Sequence, residues 1–278
     1  MKCVHAVCAA VVATLVALAL TVSAAKPAGD SPTVSSLASL MEGLHWGVTH
    51  TDIARIYNQV GGRFDQEYNP VLAKMQPGTR MQALEADREN RKAAFAATFI
   101  EFKDTPTGYD ATGLKGEYTY RNHESIMNVD KDGKRRYFFF IGAPPTERFW
   151  KFYDEIPLKA DGPLGENFQS AVAKITGEIG STGRMRQADP AQGIFHTTAE
   201  WQDSTTHLRA VDRSYEHIVG VVLEDRATLG QLPQLRANKP DDVLALDPSI
   251  RAITKGGISD PNAAGSDNAA AATKKKKK

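Results

Sequence analysis

Between residues 49 and 60, apolar side chains recur at Ile53, Ile56, Tyr57 and Val60, the three-and-four spacing of one helix face. Thr49 stands before the run as a cap, Asp52 falls in its first turn and Gly61-Gly62 ends it, so a helix is predicted here. A second helix is predicted from Thr79, whose spacing to Gln82 suits a capping box, through Leu84 to Phe95, Phe99 and Phe102. After Gly116 the period falls to two. The runs "EYTYRN" (117–122), "ESIMNV" (124–129), "KRRYFFFIG" (134–142) and "RFWKFYDEI" (148–156) are separated by turn residues and predict a four-stranded antiparallel meander.

The same order of patterns returns downstream. Shifting the chain against itself by 81 residues lays Tyr120 on Trp201, Asn122 on Asp203 and Phe138–Ile141 on Val219–Val222. The same shift lays the helical stretch Phe168–Ile179 on Asp87–Thr98. Strands of the second set are read in "IFHTTAEWQDSTTHLRAVDR" and "HIVGVVLED". The expected fold is therefore α+β. It consists of two tandem units, 41–158 and 159–254, each with helices followed by an antiparallel meander sheet.

One stretch stands out chemically. Residues 136–156 hold eight of the chain's 22 aromatic side chains. Strict alternation puts Phe138 and Phe140 on one face and Tyr137 and Phe139 on the other, with Trp150 and Phe152 opposite Phe149 and Tyr153. A meander covered by helices on one face is expected to be polar on its second face, yet here both faces are aromatic. Either the second face packs against the other unit, or it is an exposed platform for a ligand. On the second reading Tyr137, Phe139, Trp150 and Phe152 are the candidate binding residues.

The chain ends add a location. Residues 1–24 carry a basic start at Lys2, an apolar run and a small-residue exit around Ser23, the pattern of a signal peptide. Residues 25–40 read as a linker, and 255–278, almost without large apolar side chains, as a disordered tail ending in Lys274, Lys275, Lys276, Lys277 and Lys278. The chain's two cysteines, Cys3 and Cys8, fall inside the signal segment, ahead of the position a lipid-anchored Cys would need. Beyond residue 24, disulfides, thiolate metal sites and a Cys nucleophile are excluded. The expectation is an exported protein, periplasmic or extracellular and not lipidated. Of 34 basic and 33 acidic residues, 28 and 33 remain once Lys2 and the five terminal lysines are set aside, a body charge of −5. That balance gives no support for nucleic-acid binding by the folded body.

Sites of chemistry are sparse. Asn128, Asp130, Asp132 and Gly133 match the first half of a calcium loop, but Phe139 occupies the position of its final carboxylate, and Asp132-Gly133 reads more simply as a hairpin turn. His196, His207 and His217 could approach one another across neighbouring strands, though no helical metal-ligand spacing is present. The acidic pairs Asp154-Glu155, Asp241-Asp242 and Glu224-Asp225 are adjacent residues, which face opposite ways on a strand, and Glu117 has no identifiable partner. Lys131, Lys134, Arg135 and Arg136 read as solvated charges around a hairpin turn. No cofactor is expected.

The segment Gly47-Val48-Thr49-His50-Thr51-Asp52-Ile53, followed by a second helix and a small meander, resembles the layout of SmpA/OmlA-type envelope proteins and of tandem-repeat beta-lactamase-inhibitor-like proteins. Gly61-Gly62 departs from that pattern, which has a Gly-x-Pro element there. The resemblance implies an interaction role in the cell envelope and carries over no catalytic residue. The reading is an exported, non-enzymatic binding protein that engages an envelope protein or polymer through the aromatic sheet face of the first unit. The alternatives are a cell-wall-directed hydrolase and a scaffold held by its lysine tail on anionic lipid or polysaccharide. Deleting Lys274–Lys278 is expected to abolish sedimentation with anionic vesicles, and unchanged sedimentation would remove the tail from consideration.

Overall fold

The computed structural model describes residues 33–104, 114, 116–131, 133–192 and 194–238. The segment read as a signal peptide and the lysine tail lie outside the described residues, as do Asp132 of the hairpin and the Asp241-Asp242 pair. The elements are α1 (His50–Asn58), α2 (Arg63–Leu72), α3 (Thr79–Ala97), β1 (Ile100–Glu101), β2 (Glu124–Lys131), β3 (Lys134–Ile141), β4 (Arg148–Pro157), α4 (Phe168–Ile179), β5 (Arg184–Arg186), β6 (Thr198–Gln202), β7 (Thr206–Arg213), β8 (Ile218–Asp225) and α5 (Arg226–Leu235). The fold is α+β.

The first predicted helix forms as α1, closed by a full capping box between Thr49 and Asp52. Val60, placed on its apolar face from the sequence, lies beyond its end and is 98% exposed. The residues around the cap hold α1 to the start of β4. Gly47 donates its N–H to the Phe149 carbonyl, Phe149 donates to Val48, and the His50 N–H donates to the buried Glu147 carboxylate. The His50 ring also pairs with Glu147. After Gly61-Gly62 comes α2, a helix the periodicity did not predict, in which Phe64, Tyr68 and Leu72 are buried. Thr79 does not cap α3; Gly78 occupies the cap position and provides no side-chain bond.

Among the described residues, the strands belong to one eight-stranded antiparallel sheet in the order β1-β2-β3-β4-β8-β7-β6-β5, not to a separate sheet for each unit. β4 and β8 join the halves through a continuous ladder from Lys151↔Glu224 to Pro157↔Ile218. The 81-residue shift sets β3 on β8 and β2 on β7, whereas the sheet order sets β4 beside β8, so the shift is one strand out of step. Residues 117–122 are not a strand; Arg121 has a positive φ, and the edge position beside β2 is taken by Ile100–Glu101. Residues 33–40, read as linker, are built into the fold. Thr33 bridges Gln202, and buried Leu37 donates its N–H to Asp203 at 2.5 Å.

Two apolar layers sandwich the sheet. On the helix side, α1, α2, α3 and α4 pack Ile53, Tyr57, Phe64, Phe95, Phe168 and Ile175 against Phe138, Phe140, Phe149 and Phe152 of β3 and β4 and Leu208 and Leu223 of β7 and β8. Tyr57, Phe95 and Phe138 form an edge-on and tilted cluster with centroids 4.8–6.0 Å apart. On the opposite side, Phe102, Leu114, Tyr118 and Tyr120, with Leu229 and Leu232 of α5, cover Tyr137, Phe139, Trp150 and Tyr153. Each aromatic side chain buried in these layers contributes about 1.5–3 kcal/mol.

Gly220 of β8 is required by close approach. A Cβ there would lie 2.1 Å from the Tyr153 hydroxyl, whereas one on Gly177 in α4 would meet nothing within 4 Å. Gly220→Ala is therefore expected to destabilise the protein by about 1–3 kcal/mol. Gly177→Ala is expected to stabilise it by about 0.5–1 kcal/mol. Chemical denaturation of the two variants checks the opposite signs.

Candidate functional site

The four aromatic residues proposed as a platform are all buried: Tyr137, Trp150 and Phe152 are 1% exposed and Phe139 is 0%. The sheet face they occupy is not free, and an exposed aromatic platform is corrected to core. Nor do the four share a face. A bulge between Phe139 and Phe140 pairs Phe139 with Lys151 and Phe140 with Phe149, leaving Trp150 as the extra residue. Trp150 and Lys151 therefore both point away from the helices, with Tyr137 and Phe139, while Phe152 points towards them. There Phe152 lies under the Arg136 guanidinium, 4.7 Å from ring centroid to the charge. Arg136 is itself buried, in bidentate pairs with Asp154 at 2.7 Å and with Glu42 at 2.9 and 3.1 Å, so it is no solvated turn charge.

What the bulge exposes on the other face is a buried ionic cluster. Lys151, 1% exposed, lies 4.3 Å from the Phe139 ring centroid and 4.6 Å from that of Trp150. These predicted ligand-binding rings thus form the π walls around an ammonium. Lys151 Nζ donates to Glu117 Oε2 at 3.0 Å and also to the Glu117 carbonyl. Arg209 bridges Glu117 (Nη2 to Oε2, 2.8 Å) and Glu224 (Nη2 to Oε1, 2.8 Å; Nε to Oε2, 3.0 Å). His207 Nδ1 lies 3.0 Å from Glu224 Oε2. Lys151, Glu224 and His207 are successive cross-strand partners on β4, β8 and β7, which is why they converge. Next to them Glu200 of β6 pairs with Arg184 of β5 and accepts from Thr198 Oγ1 at 3.1 Å. Arg236, just beyond α5, pairs with fully buried Glu124 at 2.8 and 2.9 Å.

The electrostatics of this cluster oppose proton donation. Burial works to raise the Glu117 carboxyl, but the Arg209 and Lys151 charges overcome it and hold the group at about 2. Glu224 is likewise held low against burial, by Arg209 and by its bond from His207, and Glu200 by Arg184. Burial pulls Lys151 below the ordinary lysine range against the attraction of Glu117 and Glu224. All three carboxylates are ionised acceptors.

The cluster forms part of the floor of a cleft of about 290 Å³ on the sheet face opposite the helices. Glu117, Glu200, Arg209 and Thr198 line its base, and Arg186, Ile194, Phe195 and His196 its rim. Phe195 is 67% exposed, and His196 stacks on Tyr215, itself 69% exposed, with planes 2° apart. The structure does not bring His196, His207 and His217 together: His207 bonds Glu224, His196 stacks on Tyr215, and His217 closes the turn before β8. Among the described residues there is no cluster of three or more metal-ligating side chains. Glu224-Asp225 alternates as expected, Glu224 entering the cluster and Asp225 capping α5 by accepting from Thr228 at 3.0 Å. Other concavities lie elsewhere among the described residues. One, of about 240 Å³, lies on the helix side against Phe152, Ile175 and the Arg136 pairs. A wider depression of about 850 Å³ near His123 and Asn238 borders residues outside the described set.

Sequence reasoning missed this cleft because its members are scattered. Glu117 lies 34 residues from Lys151 and 92 from Arg209. The available signal was a lysine inside an otherwise aromatic strand, which demands an anionic partner once the strand is buried. No protein-family profile matches the chain, and comparison with curated proteins and with solved structures finds no match. Among the described residues, no helix is long and apolar enough to cross a membrane.

The carboxylates set a pH dependence. Their folded values lie below the unfolded value of 4.5, so their contribution is present above that value and is lost as pH falls through it towards about 2. The melting temperature is expected to hold from pH 7 to about 5 and then fall steadily. Glu224→Gln, which leaves half-buried Arg209 with Glu117 as its remaining partner, is expected to cost about 1–3 kcal/mol at pH 7 and to flatten the acid slope. Calorimetric melts across this range check both.

Proposed function

We propose that the chain is an exported binding protein without catalytic activity, and that its ligand sits in the cleft over β5–β7 and not on the aromatic strands of the first unit. The observation that carries this reading is the combination of an internally paired ionic floor with exposed Phe195 and half-buried His196 in the lining, the latter backed by exposed Tyr215. A floor of rigid, fully ionised side chains presents fixed donors and acceptors, and exposed rings supply contact area at low entropic cost. A hydrolase working by acid–base catalysis would need a carboxyl held above its ordinary value, and Glu117, Glu200 and Glu224 are all held below it. Export is supported by the signal-like segment 1–24. We also read the two halves of the sheet, β1–β4 and β8–β5, as tandem units meeting at the β4–β8 seam, in keeping with the SmpA/OmlA-like layout.

The test is photo-crosslinking in the native host, with a photoreactive residue replacing Phe195 or Tyr215, and Lys74, exposed beyond α2, as the control position. Adducts are expected from Phe195 in the cleft and from Tyr215 beside it, and not from Lys74. Equal labelling at all three would overturn the assignment of the cleft.

A further inference from the structure

We infer that the ligand of the cleft is a neutral sugar chain, an inference that rests on the cleft being the binding site. The first argument is charge. Glu117 and Glu224 share Arg209, with Lys151 on Glu117 and Arg184 on Glu200, so each anion of the floor already faces a cation. A charged group placed on this floor would have to displace one of these pairs. Hydroxyl groups both donate and accept, so they can add to the remaining lone pairs and N–H groups while every pair stays intact.

The second argument is shape. Exposed Phe195 lines the cleft with this polar floor, and His196, next to it in the chain, also lines it and stacks on Tyr215. Flat ring faces next to fixed polar groups suit a pyranose, which has an apolar C–H face and an equatorial belt of hydroxyls. A protein partner could use Phe195 as an anchor, but it would have to dry the ionic floor beneath it, at a desolvation cost that a wet sugar contact avoids. The third argument is size. At about 290 Å³ the cleft falls just short of sites that enclose a drug-sized molecule, which run to ~300–1,000 Å³. It admits a ring unit whose neighbours continue over the rim. Arg186, at that rim, carries no ion pair among the described residues and is the one place where an anionic chain would gain.

The experiment is calorimetric titration of the full chain with short β-1,4-glucan, β-1,4-linked N-acetylglucosamine and α-1,4-glucan oligomers, and with polygalacturonate as the anionic probe. At least one neutral oligomer is expected to bind, with an affinity that changes less than about twofold between ~0.05 and ~0.5 M salt. Phe195→Ala is expected to weaken it by about tenfold or more, with an unchanged melting temperature, and Phe195→Tyr to retain it. Preferential, salt-sensitive binding of polygalacturonate overturns the inference, as does binding that ignores Phe195→Ala or the absence of binding by every neutral oligomer. In that last case, protein adducts from Phe195 in the crosslinking experiment would leave the cleft assignment standing, and their absence would remove both.

Discussion

Phe140 of β3 faces Phe149 of β4, but Phe139 faces Lys151, so Trp150 has no partner across the ladder and shares its side of the sheet with Lys151. Under strict alternation from Phe149, Lys151 would enter the helix-side core among Phe138, Phe140 and Phe149, where no carboxylate of its own cluster could follow. The extra residue turns the ammonium to the other face and returns Phe152 to the helix side. The Lys151–Glu117 contact, the capture of residues 116–120 over the second core and the charged cleft floor all depend on that one irregularity.

Around it the protein solves a costly problem by matching. Lys151 and Glu224 are withdrawn from water and Arg209 and Glu117 are half-buried beside them, so an unpaired charge at any of the four would be costly. Together they balance, and the geometry is fixed by backbone register, since Lys151, Glu224 and His207 lie in line across three adjacent strands. Burial of these charges gives the cluster its definition more than its stability. Charge pairs that cannot rearrange hold their donors and acceptors at set positions.

The elements that local spacing specifies were legible in the sequence. Thr49 and Asp52 announce α1, and the alternating aromatic and β-branched runs announce β2, β3, β4, β7 and β8. What failed was what depends on partners distant in the chain. Tyr118 and Tyr120 alternate like a strand, yet they serve as a cover for Phe102, stacked on Tyr118 at 4.0 Å, because the edge beside β2 is already filled by Ile100–Glu101. The α5 helix, with Pro233 inside it, carries little periodic signal and is held by Leu229 and Leu232 against the second core. Aromatic density marked the right strands and the wrong function. Tyr137 and Phe139 are core because Phe102, Leu114, Tyr118 and Tyr120 lie over them together with α5, which belongs to the stretch read as the second unit.

The shortness of the outermost strands has its own consequence. An eight-stranded sheet has two open borders where unpaired N–H and C=O groups could template the addition of another chain. Here one border is β1, of two residues, and the other is β5, of three, two of them arginine. Thr33 bridges Gln202, beyond the reach of β5 along β6. A sheet rich in contiguous aromatic sequence, which would be prone to fibrillar stacking if its central strands were presented, keeps those strands at its middle and offers neighbours only short, charged margins.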